Sequence, residues 1–444
     1  MTSHAQAGGD EPLARAFRDH YRRLVKRLAR EFGFRLTELV EDAVQGALVA
    51  ALRAWPQSGT LVHVEAWLAQ VARNRLLDEL RRSERRNLSL DEAWHANASP
   101  AEEDGEVNAG VPTGEPATPE VPLHMAGEVA DDELRMLYVC ADEAIPLPSQ
   151  LVQALKILAG FSTREIALRL MTSEENVQKR LSRGRDRLRQ LGEELEPPPL
   201  QALQGRRPTV LRVIYLLFNE GYSSAVPDQL IRRELCDEAV RLARVMAAHP
   251  ACASPEVDAL LALMLLHSAR FDARVGPGGA LQLLQAQDRE RWDPAAIAEG
   301  LQWLARSGRG EQFTRYHAEA AVAAVHCSAP SYAQTDWAEI VSLYQMLECV
   351  EPSPLYVLNR AIALAEWQGP EAGLAMLQAL EPPGWLARYY LWDATLGELE
   401  RRAGHFDAAM AHLQRVLAQA PHPADRELIE RRLEACRRND AGGC

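Results

Sequence analysis

Two helix-start signals ten residues apart, inside a stretch running from Pro148 to Leu191, constrain this chain more than any other feature. Ser162-Thr163-Arg164-Glu165 is a capping box: the Ser162 hydroxyl accepts from a first-turn amide while Glu165 reaches back to the amide of Ser162. Thr172-Ser173-Glu174-Glu175 repeats the pattern, so a short helix gives way at once to a second, with a turn of about three residues around Met171 to Ser173. A helix over Ser149 to Ala159, ending at Gly160, precedes them. The second capped helix sets Val177, Leu181 and Leu188 on one stripe, with Gly184 where close packing is needed, while Gln178, Lys179, Arg180, Arg183 and Arg185 project elsewhere. A packed face and a separate basic face are what a helix-turn-helix needs to lay its second helix in a major groove.

The overall balance of charge opposes a nucleic-acid partner, with a formal net charge of -13 over 444 residues. Its distribution reverses that conclusion. Residues 1–90 carry a net +4 and residues 149–192 a net +5, whereas residues 91–148 carry -13. Two basic modules separated by an acidic linker, with an acidic remainder, are the footprint of a chain of which only the first modules meet DNA. The length allows two to four domains. Cysteines at 140, 236, 252, 327, 349, 436 and 444 contain no Cys-x-x-Cys pair, so neither a zinc ribbon nor a disulfide framework is expected. The polar start Met1-Thr2-Ser3-His4 lacks an export signal, and the most apolar window, Ala259 to Leu266, is far short of the roughly 20 residues that span a bilayer. A cytoplasmic chain without membrane association is expected, that window forming a fully buried helix.

Apolar positions at Leu13, Phe17, Leu24 and Leu28 fit a helix from Pro12 to Phe32. A broad stripe from Leu36 to Trp55, stopped by Pro56, fits a second. A third, from Val64 to about Arg86, buries Trp67, Leu68 and Val71 and then turns basic. Residues 91–130, rich in Glu, Asp, Pro, Gly and Ala, lack periodicity and read as a flexible linker, with structure resuming near Asp131. Beyond Leu200 every segment reads helical, without period-two runs, so the expected fold is all-α. Leu396, Gly397, Gly404, Ala409 and Pro421 fall at the spacing of a tetratricopeptide unit, and Gly369 lies 35 residues before Gly404, close to that repeat. Asn219-Glu220-Gly221-Tyr222 reads as a helix stop with Gly221 at positive φ. Glu319 and His326 share a helix face, the spacing of a packing or hydrogen-bonded pair more than of a catalytic or metal-binding one. No phosphate loop, nucleophile elbow or metal cluster is present in the sequence, so no catalytic residue, metal or cofactor is expected.

Glu41-Asp42-Ala43-Val44-Gln45, Ala66-Trp67-Leu68 and Val71-Ala72-Arg73-Asn74-Arg75 with the basic run to Arg86 resemble region 2 of extracytoplasmic-function sigma factors, and the helix-turn-helix resembles their region 4. Phe218 to Tyr222, Arg232 to Ala239, Gln287-Asp288-Arg289-x-x-Trp292-Asp293 and Tyr316 to Ala321 resemble the C-terminal extension of the subgroup with a tetratricopeptide-like domain. The resemblance implies a sigma region 2 over 1–90, an acidic linker over 91–135, region 4 over 136–195 and a helical regulatory domain over 200–444. It implies binding to core RNA polymerase through Asp42 and Gln45. It assigns the -10 element to Arg73, Asn74, Arg75, Arg81 and Arg82, with Asn74 holding a flipped base and the loop Pro56 to His63 shaping its pocket. The -35 element falls to Thr172, Ser173, Glu174, Gln178, Lys179, Arg180, Arg183 and Arg185. Gly46 stands where the family usually has an acid, which implies a weaker or rearranged clamp contact. Cys140-Ala141-Asp142-Glu143 stands where the subgroup often has Cys-Cys-His-Pro, which speaks against a metal or redox role at that position. The function implied is an alternative sigma factor, not an enzyme, that directs promoter-specific initiation, with a regulatory protein as a candidate partner of its C-terminal domain. The competing expectation is a one-component helix-turn-helix regulator with a helical-repeat sensor domain.

Overall fold

The computed structural model describes residues 21, 24–25, 27–28, 32, 36–58, 67–80, 82, 129, 131–191, 200–224, 231–276, 282–387, 389–419 and 423–440. Among them the fold is all-α, with no extended strand. The acidic stretch over 91–128, the loop over 59–63, Arg81, the prolines at 197–199 and Pro421 lie outside the described residues. The chain divides into two compact units, 1–209 and 210–444. The division falls inside the helix Leu200–Tyr222, next to Pro208, which removes one ladder hydrogen bond.

The first unit opens on one apolar cluster. Leu24, Val25 and Leu28 meet Val40, Ala43, Val44 and Ala47 of the helix Thr37–Ser58, and Leu68, Ala69, Ala72 and Leu76 of the helix 67–80. Each set recurs at three- and four-residue intervals, which places it on one helix face. Trp67 and Val71 pack at the margin of this cluster, so Trp67 belongs to the core. The helix Thr37–Ser58 runs through Pro56 instead of stopping before it. In a last turn, proline forfeits one hydrogen bond without ending the helix.

Further along the first unit, Asp131 caps the helix Asp132–Cys140 by accepting from Leu134 N at 2.9 Å. The helix Leu147–Ala159 ends at Gly160 in the left-handed region, φ 62°. Ser162 and Glu165 form the full capping box of the helix Thr163–Arg169, at 3.1 and 2.7 Å. The turn that follows places Met171 at φ 49°, and the helix Glu174–Leu191 begins after Ser173. The second box is not formed as the sequence pattern predicts. Ser173 is the cap, its Oγ accepting from Asn176 N at 3.2 Å, so the third helical position is Asn176, and Glu175 pairs with Lys179 at 2.7 Å. Val177 and Leu181 are buried, and Gly184 lies against the Gln153 side chain, an added Cβ falling 2.6 Å from its Cδ. The side chain of Leu188 is outside the described set.

In the second unit the helix Pro255–Ser268 is buried on every side from Val257 to Leu266, as its unbroken apolar run predicts. Helices Arg233–Ala248, Pro294–Ser307 and Arg315–Ser328 pack around it. Gly300 permits one close crossing, since a Cβ there would lie 2.8 Å from Leu266 Cγ. Gly221 does not end a helix at positive φ. It lies inside Leu200–Tyr222, and its bare Cα admits the backbone of the next helix, with Arg232 O and Cys236 N at 2.7 and 2.8 Å from where a Cβ would stand. Paired helices follow: Trp337–Val350 with Pro354–Gln368, Pro370–Gln378 after Gly369 at φ 96°, then Tyr390–Ala403 with Phe406–Gln419 across Gly404 at φ 87°. Gly397 faces Leu413 and Ala409 is fully buried, so the small residues of the repeat pattern lie where these helices touch.

Candidate functional site

The first unit carries two groups of candidate residues, one on the helices Thr37–Ser58 and 67–80 and one in the helix-turn-helix. On the helix Thr37–Ser58, Ala43, Val44 and Ala47 point into the core, which leaves Asp42 and Gln45 exposed. Val49, 46% exposed, continues the same stripe one turn on. On the helix 67–80, Ala72 and Leu76 are buried, and Arg73, Asn74 and Arg75 are exposed together. Gln70 Nε2 donates to Asn74 Oδ1 at 3.0 Å, which orients the amide and leaves its Nδ2 donor directed away from Gln70. Arg82 is exposed beside Glu79 at 3.5 Å, a surface pair of little energy. Gly46 acquires a role that its sequence position does not reveal: the Arg75 guanidinium lies where a Cβ would be, so Arg75 rests across the helix that bears Asp42 and Gln45.

In the helix-turn-helix, Ser173, Glu174, Gln178, Lys179 and Arg183 are exposed, while Thr172 and Arg180 are half-buried. These residues run from the turn to the middle of the second helix, whose Val177 and Leu181 are buried on its packed face. Arg185 stands apart from them. Its Nη2 donates to Glu41 Oε2 at 2.9 Å, and two residues on, Arg187 Nε donates to Ala144 O at 3.1 Å. Glu41 was not singled out by sequence reasoning, though a signal existed: it falls on the apolar stripe with Val44 and Leu48, where a carboxylate needs a partner.

The remaining candidates have structural roles. Burial pushes the Cys140 thiol up to about 12, with Glu41 adding to the shift, so this thiol is a poor metal ligand or nucleophile. No group of three or more metal-ligating side chains gathers among the described residues. Glu319 accepts from the hydroxyls of Tyr215 and Tyr356 beside Arg315, His317 Nδ1 engages Thr314, and His326 packs edge-on to Trp337. Each is engaged separately, so Glu319 and His326 do not form one constellation.

Residues 17–86 match the family described as Sigma-70 region 2, and they include Asp42, Gln45 and the Arg73 to Arg75 run. A protein of Rhizobium meliloti (strain 1021), described as uncharacterized, is 35% identical over 403 residues, covering 90% of this chain and 90% of that protein. The chain is a sigma-70 family factor, of one family with the Rhizobium protein. As a sigma-70 factor it carries the implication of binding to core RNA polymerase and promoter DNA and of a part in transcription initiation. Residues 206–308 match a family of unknown function, DUF6596, and hold the motifs at Phe218 to Tyr222, Arg232 to Ala239 and Gln287 to Asp293. No solved structure matches this sigma-70 factor. None of its described helices is long and apolar enough to cross a membrane.

Proposed function

We propose that this sigma-70 factor is an alternative sigma factor of the extracytoplasmic-function subgroup, with a tetratricopeptide-like C-terminal domain that modulates it through a protein partner. The observation that carries the reading is the joint exposure of Asp42 and Gln45 on one helix and of Arg73, Asn74 and Arg75 on its packed neighbour, in a chain that also holds a helix-turn-helix. In this reading Asp42 and Gln45 bind the polymerase clamp. Asn74 holds a flipped base of the -10 element, since an amide both donates to and accepts from a base edge. Arg73, Arg75, Arg81 and Arg82 hold phosphates, which positions the DNA without specifying its sequence. Thr172, Ser173, Glu174, Gln178, Lys179, Arg180 and Arg183 meet the -35 element, with Arg185 joining them once released from Glu41.

The test is reconstitution of the full chain with core polymerase on a library of promoter fragments, scoring initiated transcripts. Specific initiation that depends on the chain is the expected result. Asp42→Lys should reduce co-purification with the core while the protein stays folded. Promoter binding without any initiation would turn the reading against a sigma factor.

A further inference from the structure

Within the second unit, helices Trp337–Val350, Pro354–Gln368 and Tyr390–Ala403 border a cavity of about 570 Å³, with Arg432 in its lining. That volume falls in the range of small-molecule sites, roughly 300 to 1,000 Å³. Trp337, Tyr344 and Ile362 give it an apolar wall.

The lining also holds charged groups that do not balance. Arg401 grips Glu398 through Nη2 at 2.8 Å and Nε at 3.1 Å, and Arg432 Nε approaches the same carboxylate at 3.3 Å. Arg402 pairs with Glu366 at 2.5 Å, and the Tyr332 hydroxyl also donates to that carboxylate. Three guanidiniums thus share two carboxylates. Arg432 has no other ion pair or hydrogen bond among the described residues, although four-fifths of its side chain is withdrawn from solvent. Burial holds the Arg432 pKa below its usual value, Glu398 compensating only in part and Arg401 adding repulsion. A second observation is independent of these charges. His326 Nδ1, on the cavity lining, is buried with no hydrogen-bond partner. Burial and the nearby Arg270 and Arg289 lower this imidazole to about 4, so it is neutral at physiological pH.

We infer that this cavity binds a small organic monoanion with an aromatic or aliphatic body, its single acid group paired with Arg432 and its body packed on Trp337, Tyr344 and Ile362. One surplus positive charge selects one negative charge. A polyanion is opposed by Glu366 and Glu398, and a neutral ligand leaves Arg432 uncompensated. Leu283 and Leu391, 47% and 38% exposed, extend the apolar lining toward solvent and suit the body of such a ligand. The inference does not rest on the transcriptional reading.

The test uses the full chain without polymerase and anilinonaphthalene sulfonate, a fluorescent monoanion with an apolar body, as probe. Saturable binding is expected, displaced by decanoate and not by decanol. Arg432→Gln, which leaves Glu398 paired to Arg401, should weaken both anions about tenfold or more, the loss of one hydrogen bond to a charged group. Thr395→Trp, which fills the cavity from its lining, should abolish binding with the melting temperature preserved, and it decides the matter if the arginine variant does not fold. The inference is overturned if the probe ignores both variants, if decanol displaces it as well as decanoate, or if an acidic peptide competes better than decanoate. None of these outcomes depends on transcription, so failure here leaves the sigma-factor reading standing.

Discussion

Arg185, on the second helix of the helix-turn-helix, donates to the buried carboxylate of Glu41 across 144 residues of sequence, joining the helix-turn-helix to the region 2 helices inside the first unit. The Glu41 side chain is 5% exposed and that of Arg185 is 30% exposed. Burial raises the Glu41 carboxyl above the usual carboxylate range, even though Arg185 and Lys156 draw it down. Moving Arg185 away from Glu41 would leave a buried carboxylate without this partner. The basic pattern of the helix alone assigns Arg185 to DNA; in this structure it is engaged within the protein.

Arg185→Gln should destabilise the first unit by roughly 3 kcal/mol at neutral pH, the lower end for breaking a buried pair, because Arg185 is partly open to water. A carboxyl with a raised folded pKa holds its proton more tightly in the folded state, so its contribution to stability falls as pH rises through the window between the unfolded and folded values. Without Arg185 that window extends upward. The difference between wild type and variant should consequently shrink between pH 7.5 and pH 5 in urea unfolding. An equal loss at both pH values would remove the charge from the explanation.

Arg183 is exposed in the middle of the same helix, and Arg180, one turn before it, is half-buried. If Arg183 reads a base, Arg183→Ala should cost about 1 to 3 kcal/mol of promoter affinity and relax specificity at one position of the -35 element. The same experiment on Lys179→Ala should lower affinity evenly over promoter variants and flatten the salt dependence, as for a phosphate contact. Binding titrations over a set of single-base promoter variants at two salt concentrations separate the two behaviours.

Gly46→Ala and Gly221→Ala should part company. At Gly46 the new methyl meets the tip of the flexible Arg75 side chain, which can move, and exchanging Gly for Ala in a helix gains about 1 kcal/mol. At Gly221 it meets backbone, Arg232 O and Cys236 N, which cannot. Overpacking of that kind costs about 3 kcal/mol. Thermal melts should show the first variant near wild type and the second lowered by several degrees, and a neutral Gly221→Ala would contradict the close approach.

Asp393 is buried between His412 Nδ1 at 2.7 Å and Arg415, at 2.8 and 3.1 Å. Burial pushes this carboxyl up, but the hydrogen bonds from Arg415 and His412, and their charge, outweigh it and hold the pKa below the usual value. A depressed carboxyl stabilises the fold above its unfolded pKa and loses that contribution as pH falls through the folded one. Asp393→Asn should therefore destabilise the second unit at neutral pH and approach wild-type behaviour in strong acid. A difference between the two that stays constant with pH would place the effect in packing alone.

Much of the local architecture was legible because it is written in short-range chemistry. Ser162 and Glu165 announce their cap three residues apart, Gly160 and Gly404 mark left-handed helix ends, and the uninterrupted apolar run at Ala259 to Leu266 announces burial on all sides. Errors arose where two local rules competed. Thr172 and Ser173 are both good caps, and a single-residue shift moves the third helical position from Glu175 to Asn176. Gly221 does stand where its helix stops, one residue before the end at Tyr222, but not at positive φ: its missing side chain makes room for the backbone of the next helix. The same limit applies to the candidate site. Exposure of Asp42, Gln45 and Asn74 follows from periodicity, whereas the Glu41–Arg185 pair and the seating of Arg75 over Gly46 join segments far apart in the chain. The boundary between units is of this second kind, since Arg206 donates to Tyr138 O at 3.0 Å and Thr209 to Gln150 at 3.1 Å, tying the start of the helix Leu200–Tyr222 to the first unit.

The helix Pro255–Ser268 offers water no face at all from Val257 to Leu266, so its solubility is borrowed entirely from its neighbours. A recombinant fragment that stops before Pro294 strips away two of the helices wrapped around it and lays bare a continuous oily rod. Such a fragment is a poor choice for expression, and a nascent chain emerging from the ribosome passes through the same state. The second unit is thus obliged to finish the helix Arg315–Ser328 before this segment is sheltered.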